Sequence, residues 1–142
     1  MKISSDLHKA FLQTNYKVLP NKYCQHTITI QIGKELSELK VFTDYKSFGF
    51  LTAWNPLPAI LTDEENKLRN QELKAEIANL GYEVYDGIGI SKDLTWKESS
   101  FFILNIDLKT LSGLAKKYGQ LAFVYGQEYS LSRLIYVSDL KR

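Results

Sequence analysis

Six polar residues from four separated segments have the types needed to meet a small molecule: Asn55, Asn66, Arg69, Asn70, Glu98 and Gln120. Guanidinium and amide N–H groups donate to carboxylate or phosphate oxygens, and a carboxylate among them can move a proton. On a helix turning 100° per residue with Leu73 at zero, Ile77 falls at about +40° and Leu80 at about −20°, which marks the buried stripe. Asn66 at about +20°, Arg69 at about −40° and Asn70 at about +60° continue that stripe toward the helix start. The inward face is thus apolar in its second half and polar in its first. Groups buried there must find hydrogen-bond partners.

Strand parity suggests where the partners lie, because successive side chains point to opposite faces. Gly49, Leu51 and Ala53 share the parity of Asn55, Phe102 and Leu104 that of Glu98, and Ala122 and Val124 that of Gln120. With these sets turned toward the helices, the six polar residues meet at one end of a sheet in a partly enclosed pocket. Arg69 then pairs with Glu98 and holds its carboxyl below the ordinary range. Trp54 and Trp96 stand beside this pocket, and Tyr125 adds a hydroxyl.

Two functional readings use the pocket. In the first, Asn55, Asn66, Asn70, Trp96, Gln120 and Tyr125 join Arg69 in binding a small polar or anionic ligand, helped by the helix N-terminus; Asp63, Glu64 and Glu65 in the first turn weaken the anion preference. In the second, Glu98 and Arg69 are catalytic, Glu98 as general base or acid and Arg69 stabilising charge, with Asn55 and Gln120 orienting substrate. Against both stands a purely structural network, in which Arg69 satisfies the Asn55-Pro56 turn and Glu98.

The elements that must position these residues follow from local signals. Ser4–Gln13 reads as a short helix with Leu7, Ala10 and Phe11 on one side. Tyr16–Leu19 and His26–Ile32 read as a hairpin joined through Pro20, Asn21 and Lys22. Gly33–Ser47 reads as a connecting loop with a short strand near Val41–Phe42, and Phe48–Trp54 as a strand stopped by Asn55-Pro56. Thr62-Asp-Glu-Glu65 is a capping box opening a helix that runs to Leu80 and stops at Gly81. Strands Tyr82–Ile90 and Ser99–Ile106 come next, then a helix capped by Asp107 and ended by Gly119, then strands Leu121–Tyr125 and Leu134–Val137. The order predicts an α+β fold: a ferredoxin-like β-α-β-β-α-β sandwich over residues 48–125, with an added N-terminal helix and hairpin and a C-terminal strand, in one domain over residues 1–142. Gly87-Ile-Gly89 is read as a turn or bulge.

Composition narrows the function classes. Of 142 residues 44% are apolar and 24% charged, enough to bury a core, and the net charge of +2 offers no polyanion-binding balance. The single cysteine, Cys24, fits a reducing cytosol. Cys24, His8 and His26 have no metal-ligand spacing, so no metal and no cofactor is expected. There is no phosphate loop, no nucleophile elbow and no zinc-protease helix. An aromatic sheet face of Phe48, Phe50, Tyr85, Phe101, Phe123 and Tyr125 offers a third reading, a protein or nucleic-acid interaction module. The N-terminal helix and hairpin are expected to cover that face with Leu7, Phe11, Ile28 and Ile30. Neither a nucleic-acid nor a membrane partner is expected, and the oligomeric state is open.

The runs Leu51-Thr-Ala-Trp-Asn-Pro56, Glu65-Asn66-x-x-Arg69-Asn70, Trp96-x-Glu98-x-Ser100-Phe101 and Tyr118-Gly-Gln-x-Ala-Phe-Val-Tyr125 resemble the signature blocks of an uncharacterised bacterial family, domain of unknown function 3293. The resemblance extends from about Tyr16 to Tyr125 with the blocks in order. It departs from the family at Leu57 and Pro58, where small polar residues are more usual. It implies a small, stand-alone bacterial cytosolic protein and brings no activity.

Overall fold

The computed structural model describes residues 4–35, 37–42, 45–56, 59–128 and 131–139. Helix α1 (Ser5–Gln13) is capped by Ser4, whose side chain accepts from the Leu7 N–H. Strands β1 (Asn15–Val18) and β2 (Ile28–Ile30) form the expected hairpin, with Val18 opposite Ile28. A 3-10 helix over Ser37–Val41 replaces the strand expected near Val41–Phe42. Leu39 and Phe42 stand three residues apart and are both buried, a spacing that superposes side chains in a 3-10 turn and not in a strand.

Strand β3 (Ser47–Leu51) leads to α2 (Asp63–Asn79), which opens on the complete capping box between Thr62 and Glu65. Leu80, expected in the buried stripe, is the C-cap and half exposed. After it come β4 (Val84–Ile90), β5 (Lys97–Leu104), α3 (Leu108–Lys117), β6 (Ala122–Gln127) and β7 (Arg133–Tyr136). Asp107 caps α3 by accepting from the Thr110 N–H at 2.7 Å. At its other end Gly119 takes φ +70° with Pro56 so close that any Cβ would stand 2.7 Å from the proline ring. Only glycine meets both demands.

Among the described residues the fold is α+β: three α-helices and one seven-stranded antiparallel sheet, in the order β2-β1-β4-β5-β3-β6-β7, curled into a half-barrel. The curl brings the two edges together just outside the ladders, where Gly33 N–H donates to Ser132 O and the Ser132 hydroxyl donates to Gln31 O.

Both sheet faces are buried. One packs Leu51, Ala53, Phe101, Ile103, Phe123 and Tyr125 against Leu73 and Ile77 of α2 and Leu111, Leu114 and Ala115 of α3. The other gathers Phe48, Phe50, Phe102, Leu104 and Val124 with Tyr16, Val18, Ile28 and Ile30 of the hairpin and with Leu39 and Phe42. This corrects the expected parity of β5 and β6: Phe101, Ile103, Phe123 and Tyr125 face the helices, while Phe102, Leu104 and Val124 face away. The hairpin covers the second face by extending the sheet beside β4 and curling over, not by lying across it.

Candidate functional site

The polar residues of α2 meet their partners where β3 leaves the ladder. Past Leu51 the backbone is held by side chains. Thr52 Oγ1 donates to Ser99 O at 2.7 Å, and Asn70 Oδ1 accepts from the Ala53 N–H at 2.8 Å. Asn70 Nδ2 donates to Ser99 O at 2.9 Å, and Arg69 Nε to Ala53 O at 2.8 Å. Arg69 Nη2 reaches Tyr118 O at the end of α3, and the guanidinium lies 5.7 Å from the Tyr118 ring centre.

Asn55 sits at φ +45°, a left-handed conformation that asparagine tolerates better than most residues. Its N–H donates to Asn66 Oδ1 at 2.7 Å, and its Oδ1 accepts from Asn66 Nδ2 and the Leu61 N–H. Gln120 Nε2 donates to Trp54 O at 3.2 Å. Asn55, Asn66, Arg69, Asn70 and Gln120 thus come together as the sequence predicts. They spend their inward-facing groups on backbone atoms of one crossing point, and no fully buried side-chain N or O among the described residues lacks a partner. Asn66 and Asn70 use both ends of their amides, so the cluster presents no convergent set of free donors to an anion. It matches the structural network weighed against the pocket, with the carbonyls of Ala53 and Tyr118 in place of Glu98.

Glu98 is elsewhere. It lies at the same end of the sheet but on the opposite face, and the expected Arg69–Glu98 pair does not form. The reason is parity: Glu98 is in step with Phe102 and Leu104, which turn from the helices. Its strand partner is Gly89, and Gly89 is in turn opposite Tyr16. There Glu98 lines a cavity of about 50 Å³ with Phe11, Tyr16, Phe50, Trp96 and Ser100. The Tyr16 hydroxyl donates to Phe11 O at 2.8 Å and the Ser100 hydroxyl to Glu98 O at 3.1 Å, so neither serves the carboxylate. Among the described residues the Glu98 carboxylate has no hydrogen-bond or ion-pair partner. Burial alone pushes its carboxyl up to about 7, the reverse of the lowering expected beside an arginine. Burial likewise raises the Tyr16 hydroxyl well above its ordinary range.

Of the other predicted site residues, Trp96 joins Glu98 in this cavity. Tyr125 is buried on the helix face, with the Arg133 guanidinium 5.9 Å from its ring centre. Leu57 and Pro58 lie outside the described residues. The expected aromatic face does not form as one surface: Phe48, Phe50 and Tyr85 lie on the hairpin side of the sheet and Phe101, Phe123 and Tyr125 on the helix side, and all but the half-buried Tyr85 are buried.

Two features escaped the sequence reading. Gly87 and Gly89 lie in the continuous β4 ladder, not in a turn or bulge. A Cβ at Gly87 would stand 2.8 Å from Lys17 O and 2.8 Å from the Phe50 ring, while the nearest neighbours of one at Gly89 would be Thr14, Trp96 and Tyr16 at 3.9–4.0 Å. Glycines alternating on one strand face were the available signal for this space. The second feature is the approach of Cys24, His26 and Glu38: the Cys24 sulfur is 3.4 and 3.5 Å from the two His26 nitrogens, and His26 Nε2 is 3.0 Å from Glu38 Oε2. Equal distances to both nitrogens place the sulfur over the ring face, out of line with either lone pair. That arrangement is packing, not the in-line relay of an activated thiol.

No helix of the described residues is long and apolar enough to cross a membrane. No curated protein and no solved structure matches the chain. One family does, over residues 51–123, a span that holds the α2 cluster, Trp96 and Glu98 and leaves out the hairpin from Tyr16 that the resemblance had included. That match covers just over half of the sequence, and the chain belongs to the family described as Protein of unknown function (DUF3293).

Proposed function

We propose that this chain binds a small polar ligand in the cavity around Glu98, and that the α2 cluster is the brace that holds that end of the sheet. One observation carries the reading: Glu98 is a half-buried carboxylate without a partner among the described residues, and it faces a cavity lined in part by aromatic rings. A domain keeps such a group at a cost, because even partial removal of a carboxylate from water without a compensating bond is unfavourable. The matched groups of the α2 cluster carry no such cost. The ligand is therefore polar, but the anionic class that Arg69 suggested loses its support. The strand order β4-β5-β3-β6, with α2 and α3 on one face, supports a ferredoxin-like unit extended by the hairpin and β7. A bacterial cytosolic setting is part of the same proposal and rests on the family resemblance and the single cysteine.

The test is a ¹⁵N-correlated NMR titration with small neutral, cationic and anionic solutes. Binding at the cavity shifts the Gly89 and Ser100 amides and the Trp96 indole. Gly89→Ala, which adds a methyl group to the cavity wall without a clash, removes those shifts. Solutes that leave all three signals unmoved refute the reading.

One observation favours a second reading, an enzyme. A carboxyl titrating at about 7 both gives and takes a proton near neutral pH, as a general acid or base requires. Arg69, on the other face, has no part in it. Once a ligand is known, a Glu98→Gln protein that binds but no longer converts it identifies the enzyme; conversion that survives excludes Glu98 as its acid or base.

A further inference from the structure

The chemistry of the cavity wall narrows the ligand class, on the reading that the cavity takes a ligand at all. Among the described residues its lining holds no lysine, arginine or histidine, and its ionisable side chains are Glu98 and Tyr16. Tyr16 has committed its proton to Phe11 O, and Thr14 beside it has committed its own to Ala10 O at 2.7 Å. Titratable groups near the cavity include Tyr136 of β7 and His8 of α1, which bond each other at 2.6 Å, and Lys92 and Asp93, which line a neighbouring hollow with Trp96. Among the described residues no protein donor makes a hydrogen bond to the carboxylate.

The rest of the wall is aromatic. A carbon placed at the Gly89 Cβ position, on the strand position opposite Glu98, stands 4.0 Å from a Trp96 ring carbon and 4.0 Å from a Tyr16 ring carbon. Phe50 packs edge-on against Tyr16, with ring centres 5.4 Å apart, and extends the same wall. Aromatic faces attract cations and repel anions. A carboxylate with no counter-charge among the described lining residues, in a cavity that it shares with Trp96, Tyr16 and Phe50, suits a cation. The size fits a small one. A single water needs roughly 10–15 Å³ of such space, so a cavity of about 50 Å³ accepts a few non-hydrogen atoms.

We propose that the cavity binds a small alkylammonium cation, the charge on the Glu98 carboxylate and the methyl or methylene groups against Trp96, Tyr16 and Phe50. The cation supplies the hydrogen bonds and the counter-charge that the protein withholds, and it displaces no existing bond of the wall.

Methylammonium is the probe, compared at pH 8 and matched ionic strength with acetamide and acetate as neutral and anionic solutes of similar size. The expected result is saturable shifts of the Gly89 and Ser100 amides and the Trp96 indole with methylammonium, and more than about tenfold weaker effects with the other two. Glu98→Gln keeps the shape of the cavity; it should weaken methylammonium at least as much and leave acetamide unchanged. Gly89→Ala should weaken both. Equal binding of methylammonium and acetamide, or full methylammonium binding by Glu98→Gln, overturns the cation and leaves the cavity reading standing. No shift with any solute overturns the cavity reading and the cation with it.

Discussion

Asn70→Ala gives the sharpest test of whether the α2 cluster is brace or binding site. Asn70 is 5% exposed and bonds two backbone groups that no ladder serves. Truncation orphans the Ala53 N–H, which has no other acceptor among the described residues, while Ser99 O keeps the Thr52 hydroxyl at 2.7 Å. An orphaned buried donor costs about 1–3 kcal/mol. Loss of the second bond, and of the packing of the amide itself, brings the total to roughly 2–3 kcal/mol. For a chain of this length about 3–4 °C of melting temperature corresponds to each kcal/mol. Asn70→Ala should therefore lower the midpoint by about 6–12 °C in a circular-dichroism melt. Asn70→Asp sharpens the test: it keeps the acceptor for Ala53 but sets a carboxylate oxygen against Ser99 O. It should be destabilised at pH 7 and partly recover as the pH falls and the new carboxyl regains a proton to donate. An Asn70→Ala shift below about 2 °C, or an Asp variant indifferent to pH, refutes the brace.

Three further outcomes are expected. Glu98 titrates at about 7 in the fold and near 4.5 unfolded, so the folded state holds the extra proton between those values and wild-type stability declines as the pH rises through that window. Glu98→Gln removes that decline and should gain on wild type in urea denaturation at pH 8 relative to pH 5; the same difference at both pH values contradicts the burial of the carboxyl. Gly87→Ala should lose about 1–3 kcal/mol by pressing on Lys17 O and Phe50, whereas Gly89→Ala melts with wild type or slightly above; equal losses would show that the two positions share one environment. Thr62→Ala removes the hydroxyl half of the capping box, leaving the Glu65 N–H without its cap while the backbone N–H of residue 62 keeps Glu65 Oε1, and should cost about 1 kcal/mol by chemical denaturation, a value near zero marking the helix start as frayed.

What the sequence made legible was local. The capping box, the glycine after α3 and the polar stripe of α2 depend on residues within a few turns of one another, so spacing alone places them. The partners of the stripe depended on where β3 abandons its ladder, which no spacing in Phe48–Trp54 announces. The faces of β5 and β6 failed for another reason. Phe101 to Leu104 is apolar at every position and buried on both sides of the sheet, so the alternation that normally reports facing is absent. A one-residue error in facing turns every side chain over, and it carried Glu98 from the helix side to the other. In β3 the small Gly49 lies beneath Leu111, and there the facing was read correctly.

That single error reverses the meaning of the polar residues. Placed with Arg69, Glu98 is half of an ion pair, its charge is compensated, and its carboxyl titrates low. Placed opposite Gly89, it keeps the same neighbours in sequence but has no counter-charge, titrates near neutrality and borders open space. The segment matched to the family contributes Glu98 and Trp96, while Phe11 and Tyr16 come from the N-terminal helix and hairpin outside it. The cavity is therefore a joint between the family segment and the chain before it. A change on either side, a larger residue at Gly89 or a smaller one at Phe11, alters how much water reaches the carboxylate. The burial of Glu98 is thus set in part by Phe11 and Tyr16, which the motif around it does not contain.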